Sequence, residues 1–450
     1  MRVVRLAVAG SLLALMFAGT AAAQGYATPD LRQPMSIQRT AFASDDYLSY
    51  APQNETAPSP SDQPPPAATV EKPALVAGGE FAEPAEEEQG FKLFKAPWLE
   101  CHRIDIRGWL DQGYTWNSDS PVNRFNTPVA YDDRANEYQL NQLYLLAERV
   151  TNTCGCGWDI GGRVDLLYGT DRRFPFAIGL DDRWNESERF YGLVMPQLYA
   201  DFAYNNLIFR AGHFLAPCGY ESVMAPQNFF YSHTYSFLYG QPTTLTGGSL
   251  IYKFNDQLSG NVGIDNGWNN WDNLNQRLSY FGGFNWTSAN KKTTAALEVF
   301  SGDQLESPQS VLSHCCLVFT HKLTDKWTLA TEQNYAVQTD TAVGTVRWWG
   351  VAGYAFYELN KCWSVGMRFE HFEDPEGFVV PFATGVPLGI PSHFNAVTWG
   401  VNYKPNANVI VRSSLRSDSG HVPDGTPIQP FDDLTKSHQF LWGTDLIVKF

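Results

Sequence analysis

With 450 residues, the chain is long enough for one large barrel or for two to three ordinary domains. Its net charge of −15 excludes a role built on neutralising nucleic-acid phosphates. A mean hydropathy of −0.28 excludes a bundle of membrane helices, whereas the high aromatic content of 14% suits the girdles of a membrane barrel.

Residues 1–23 open with Arg2 and Arg5, continue as an apolar run from Leu6 to Phe17, and end on Ala21-Ala22-Ala23. Basic start, apolar middle and small residues at the end are the order of a secretory signal, here expected to be cut after Ala23. No cysteine follows that cut, so lipoprotein anchoring is not expected. A retained N-terminal membrane helix is the alternative, and it lacks a stop-transfer flank.

Residues 24–100 form a proline-, alanine- and glutamate-rich arm, with Pro58, Pro60, Pro64, Pro65, Pro66 and Pro73 close together and Glu86-Glu87-Glu88 beyond them. Such a stretch buries too little apolar surface to offset its ordering entropy, so it is expected to be disordered or extended. In an exported protein it would be a periplasmic linker or a contact arm.

Near Arg103 the pattern turns abruptly to strands. Alternation of apolar and polar side chains predicts sixteen of them, at 103–116, 137–150, 156–168, 195–204, 207–214, 244–254, 257–267, 278–289, 293–301, 310–323, 326–338, 342–358, 362–373, 392–404, 407–417 and 437–450. In the last one, Phe440, Trp442, Leu446, Val448 and Phe450 share a face opposite Gln439, Asp445 and Lys449. A soluble sheet ending on such a strand would leave a sticky edge, whereas a closed barrel pairs it with the first strand. The gaps between strands alternate in length: 205–206, 255–256, 324–325 and 405–406 are short, while 117–136, 169–194, 215–243, 374–391 and 418–436 are long. Short turns at one end and long loops at the other are the mark of an outer-membrane barrel with both ends in the periplasm. The short gap 339–341 breaks this parity.

Where alternation is clean, the two faces can be assigned. Ile104, Ile106 and Leu110 are expected to meet lipid, leaving Arg103, Asp105, Arg107 and Asp111 inside. By the same alternation Arg163, Asp165, Asp201, Arg210, Arg368, Glu370, Arg412 and Arg416 point inward. A charge on the lipid face near the midplane would cost about 2–4 kcal/mol, so a barrel forces this assignment. Arg412 and Arg416, four apart on one inward face, are expected to bias ion preference.

The gap 215–243 is unusually aromatic for a loop: Asn228 is followed by Phe229, Phe230, Tyr231, His233, Tyr235, Phe237 and Tyr239. Such a segment needs a wall to pack on. It is expected to fold into the barrel and narrow the pore, the alternative being a lid or a contact surface for another subunit.

The segments Leu140-Asn141-Gln142-Leu143-Tyr144, Pro196-Gln197-Leu198-Tyr199-Ala200-Asp201-Phe202 and Ala211-Gly212-His213-Phe214, with the 228–242 loop, resemble the OmpL-like β-barrel outer-membrane porins, the porin-2 group of Gram-negative-type bacteria. The resemblance spans residues 101–450 and implies an outer-membrane channel; it transfers no catalytic residue and no solute. The proline-rich arm and the seven cysteines depart from it. An odd number of cysteines leaves one thiol unpaired in a monomer. The strand geometry predicts a disulfide from Cys101 to Cys154 or Cys156 at the periplasmic rim.

Enzymatic readings find little support, because Ser313 and His314, or Ser392 and His393, are sequence neighbours on opposite faces of a strand. The pairs Asp132-Asp133, Asp181-Asp182 and Asp432-Asp433 could hold calcium or, more simply, be solvated loop tips. The expected protein is thus an all-β transmembrane antiparallel up-and-down barrel of about sixteen strands, without cofactor, passing small hydrophilic solutes passively. Its expected partners are outer-membrane lipid and, through the closing strand ending at Phe450, the barrel-assembly machinery; oligomerisation is open. The rival is a plugged structural or adhesive barrel whose long loops bind a partner.

Overall fold

The computed structural model describes residues 91–185, 190–304, 310–382 and 389–450. The expected signal peptide and nearly all of the arm lie outside these residues. After a short helix α1 (Pro97–Cys101), sixteen strands follow in chain order: β1 (Asp105–Asn117), β2 (Glu137–Arg149), β3 (Trp158–Gly169), β4 (Gly192–Tyr204), β5 (Leu207–Leu215), β6 (Thr244–Lys253), β7 (Leu258–Asp265) and β8 (Ser279–Thr287). The second half comprises β9 (Thr293–Asp303), β10 (Val311–Lys322), β11 (Trp327–Thr341), β12 (Gly344–Glu358), β13 (Trp363–Asp374), β14 (Ser392–Asn406), β15 (Val409–His421) and β16 (His438–Lys449).

Each strand pairs antiparallel with its sequence neighbours, and β1 closes on β16. Phe450 takes part in the closure: its N–H donates to the Gly108 carbonyl, and the Gly108 N–H donates to the Phe450 carbonyl, each at 2.9 Å. Closure removes every sheet edge, as a strand-built membrane protein requires. Among the described residues no helix is long and apolar enough to cross a membrane.

The outward face carries an apolar band with aromatic pairs beside the short turns. Trp158 packs on Tyr204 at 4.6 Å, Trp327 on Tyr357 at 4.8 Å and Trp363 on Tyr403 at 4.5 Å between ring centroids. Each pair sits directly opposite across its hairpin, where rings interact best and where a girdle meets the membrane interface. The β2 segment puts Leu143 and Leu145 outside and Leu146 inside, so its apolar residues serve both faces.

The short gap after β11 is a tight hairpin, Thr341 pairing with Gly344, so the count of sixteen holds despite the broken parity. Two prolines lie inside strands rather than beside them. Pro196 sits at a register shift between β3 and β4, and Pro405 at one between β14 and β15. Bulges free a residue from the ladder, which is where a residue lacking an N–H is tolerated.

The paired loop acids are not solvated tips. Asp132, Asp133 and Asp181 are buried, Asp133 accepts two bonds from Arg173, and Asp181 accepts from the Ala177 and Met195 N–H groups. Asp433 accepts from the N–H groups of Val122 and Asn123, tying the two loops that flank the β1–β16 seam. The expected bond from Cys101 is not formed: Cys101, Cys154 and Cys156 are separate, exposed thiols.

Candidate functional site

The loop between β5 and β6 runs inside the barrel. Its base closes where the Ala216 N–H donates to the Thr243 carbonyl at 3.0 Å. From there it touches wall strands on several sides. The Tyr220 N–H donates to Glu332 of β11 at 2.8 Å, and Gln142 of β2 donates to the Val223 carbonyl at 2.8 Å. Tyr231 reaches Asn141 of β2 at 3.1 Å, and Asn402 of β14 donates to the Phe229 carbonyl at 2.9 Å. Phe230, Tyr231, Tyr235 and Phe237 are buried, so the aromatic segment has the wall its composition called for.

Three arginines, one on β13 and two on β15, grip the loop backbone. Arg412 of β15 donates through one Nη1 to the carbonyls of Ala225, Asn228 and Phe230 at 2.9, 2.9 and 3.1 Å. Its Nε faces Asp445 of β16 at 3.0 and 2.9 Å. Arg368 of β13 binds Glu221 and the Ser232 carbonyl, each at 2.7 Å. Arg416 binds the His233 carbonyl and pairs with Asp418 at 2.9 and 3.0 Å. Glu370 does the converse work, accepting the Tyr235 and Ser236 N–H groups at 2.9 and 2.8 Å where a π-helical turn (Ser236–Gly240) begins.

A buried guanidinium is tolerated only with a carboxylate and filled donors, and the alternation of strands provides both. Residues 412, 416 and 418 share the inward parity of β15, while register places Asp445 opposite Arg412. The loop contributes the third acid. Burial would raise the Glu221 carboxyl, but Arg368 and His233 beside it outweigh this and hold it at about 2.

Glycines on the inward face make room for the loop. A Cβ at Gly113 of β1 would stand 2.6 Å from the Tyr231 ring, one at Gly366 of β13 would stand 2.6 Å from Phe229, and one at Gly400 of β14 would stand 2.9 Å from Phe230. At the mouth, Tyr131 stacks on Phe174 at 4.1 Å and leans on His233 at 4.2 Å, so two further loops cover the inward one.

The sequence-expected inward residues therefore divide. Arg368, Arg412 and Arg416 have side chains only 1%, 3% and 2% exposed and serve the clamp. Arg412 and Arg416, expected to bias ion preference, are paired with the buried Asp445 and Asp418 and hold loop carbonyls. Elsewhere on the wall, Arg107 of β1 and Arg210 of β5 keep 37% and 21% exposure. Arg107 pairs with Asp105 and Glu148, Arg163 with Asp165, and Arg210 with Asp201 while lying 3.8 Å over the Tyr199 ring. Asp111 is buried near the clamp and accepts from Asn141. Arg103 precedes β1 and pairs at 2.8 Å with Asp159 at the start of β3, at the short-turn rim rather than along the wall. Asn228 bonds within the loop to Ser222, and Tyr239 donates to the Pro128 carbonyl. Glu221, Asp418, Asp445, Gln142 and the receiving glycines went unpredicted, although the parity of Asp418 and Asp445 already placed them beside the arginines.

Among solved structures, the fold resembles the anion-selective porin from Comamonas acidovorans, with a TM-score of 0.51, 10% identity and coverage of 77% of this chain and 99% of that one. It also resembles the outer-membrane channel DcaP of Acinetobacter baumannii, with a TM-score of 0.50, 11% identity and coverage of 77% and 97%. At such identity the likeness speaks for the fold alone. A comparison with curated protein sequences finds no match. The model of the family described as "Putative beta-barrel porin-2, OmpL-like" matches residues 103–450, and the chain belongs to that family of outer-membrane porins.

Proposed function

We propose that the protein is a passive channel for small hydrophilic solutes whose cross-section is set by the 216–243 loop. The observation that carries this reading is the grip of Arg412 on three carbonyls of the loop backbone, in a barrel of sixteen strands. A barrel of that size would otherwise leave a wide aqueous channel. The loop packs on β1, β2 and β11–β15, and on the stretch of wall it leaves, Arg210 of β5 keeps contact with water. Charges there, in a confined space, act on passing ions with little screening.

The same reading includes export through a signal cleaved after Ala23, an arm facing the periplasm, lipid against the outward aromatic belt and recognition of the closing strand by assembly machinery. Purified protein in a planar bilayer tests the channel itself. Discrete conductance steps are expected, together with sugar permeation that falls off with size in loaded vesicles. Silence in both assays would favour the plugged barrel whose outer loops bind a partner.

A further inference from the structure

The arginine clamp holds the middle and far part of the inward loop. Its near end meets the opposite wall at two cysteines. Cys218 lies just past β5 and is buried, and Cys316 is buried on the inward face of β10. The Gly219 N–H, next in the chain to Cys218, donates to the Cys316 sulfur at 3.2 Å, while the Cys218 thiol donates to the Gln241 side-chain oxygen at 3.5 Å. Both belong to one packed cluster with Phe214, Leu245, Phe281 and Phe300. Cys315 points outward by strand parity, and Cys101, Cys154 and Cys156 are exposed near the short-turn end, so none of them competes for this position.

We propose that Cys218 and Cys316 become joined by a disulfide that staples the first turn of the inward loop to β10. The outer membrane faces an oxidising compartment, where adjacent thiols persist as disulfides. The oxidant is a disulfide of the thiol-exchange class. One cysteine thiolate attacks it and releases the first partner thiol. The second cysteine, losing its proton, then displaces the remaining partner sulfur. In balance, two protein S–H bonds are lost, one S–S bond forms, and the partner disulfide is reduced to two thiols. Burial of both sulfurs in the finished barrel places this exchange before the loop is fully packed. Pinned by the bond at its start and by Arg368, Arg412 and Arg416 further on, the loop cannot swing as a flap. This consequence for conductance rests on the constriction reading above; the bond itself does not.

Protein extracted from outer membranes is denatured without reductant, alkylated, digested and analysed by mass. A peptide linking Cys218 to Cys316, two hydrogens lighter than the separate thiol peptides and lost on reduction, is expected. Recovery of both cysteines as alkylated thiols before reduction would overturn the proposal and leave them as packing residues. Single-channel recording separates the second claim. Reductant should raise the frequency of conductance fluctuations severalfold in the natural protein and leave Cys316→Ser unchanged. A linked peptide with no effect of reductant would uphold the bond and count against the loop as the constriction.

Discussion

Arg412 and Asp445 face each other across β15 and β16 inside the barrel, and the guanidinium that pairs with this carboxylate also holds three loop carbonyls. One side chain thus couples the wall's own charge balance to the position of the loop. Removing one partner of a buried pair leaves the other charge uncompensated, which typically costs about 3–5 kcal/mol. Arg412→Gln should therefore lower the free energy of barrel unfolding, read from urea titration, by that order and loosen the loop. Arg412→Met combined with Asp445→Leu should cost less than Arg412→Gln alone. A double variant weaker than the single one would show that the pair is not a coupled unit.

The receiving glycines make a second test. Gly113→Val would place carbon where Tyr231 lies, and overpacking of this kind costs about 1–3 kcal/mol. Its expected signature is a lower unfolding midpoint with noisier conductance. Gly353→Ala is the control, since an added Cβ there meets nothing within 4 Å. Equal behaviour of the two variants would mean that the inward glycines do not seat the loop.

Ion preference should follow the water-facing arginines. Arg210→Glu reverses a charge beside Asp201 on the open side, and the reversal potential under a salt gradient should move toward cations. An unchanged potential would place the conducting path elsewhere.

The mouth should be sensitive to pH. Burial raises the Asp132 carboxyl to about 7 and the Asp171 carboxyl to about 8, with Arg416 partly opposing the first, and a bond from Gln142 and the charge of Arg173 partly opposing the second. A carboxyl raised on folding favours the protonated native state. Stability from these loops is therefore full below the ordinary carboxylate range and declines as pH rises through about 7 and about 8. Loop fluctuations in single-channel records should grow between pH 5 and pH 9, and Asp171→Asn should reduce that growth. Records that become quieter with rising pH would contradict the sign.

Much of this architecture was legible because a strand has a period of two and a barrel has only two faces. The alternation in 437–450 and the parity of gap lengths were enough to place the strands and to send Arg368, Arg412 and Arg416 inward. What those arginines do was not legible. Alternation says which way a side chain points, and not whether water or a folded loop meets it. Glu221 could not be matched to Arg368 from spacing, since the two lie 147 residues apart. The glycines at 113, 366 and 400 read as weak strand positions until the rings of Tyr231, Phe229 and Phe230 occupy the space they leave. The paired loop acids were misread for the same reason: a loop residue is solvated only if no neighbouring loop folds over it.

Single-channel conductance of the barrel lacking residues 228–239, compared with the natural protein in the same salt, bears most directly on the loop's role. Strands are untouched by the deletion and loop truncation is generally tolerated, so the barrel should still assemble and show its heat-dependent gel shift. The account predicts a conductance several times higher, with larger sugars now passing into vesicles. An assembled barrel with unchanged conductance and unchanged size cutoff would contradict it.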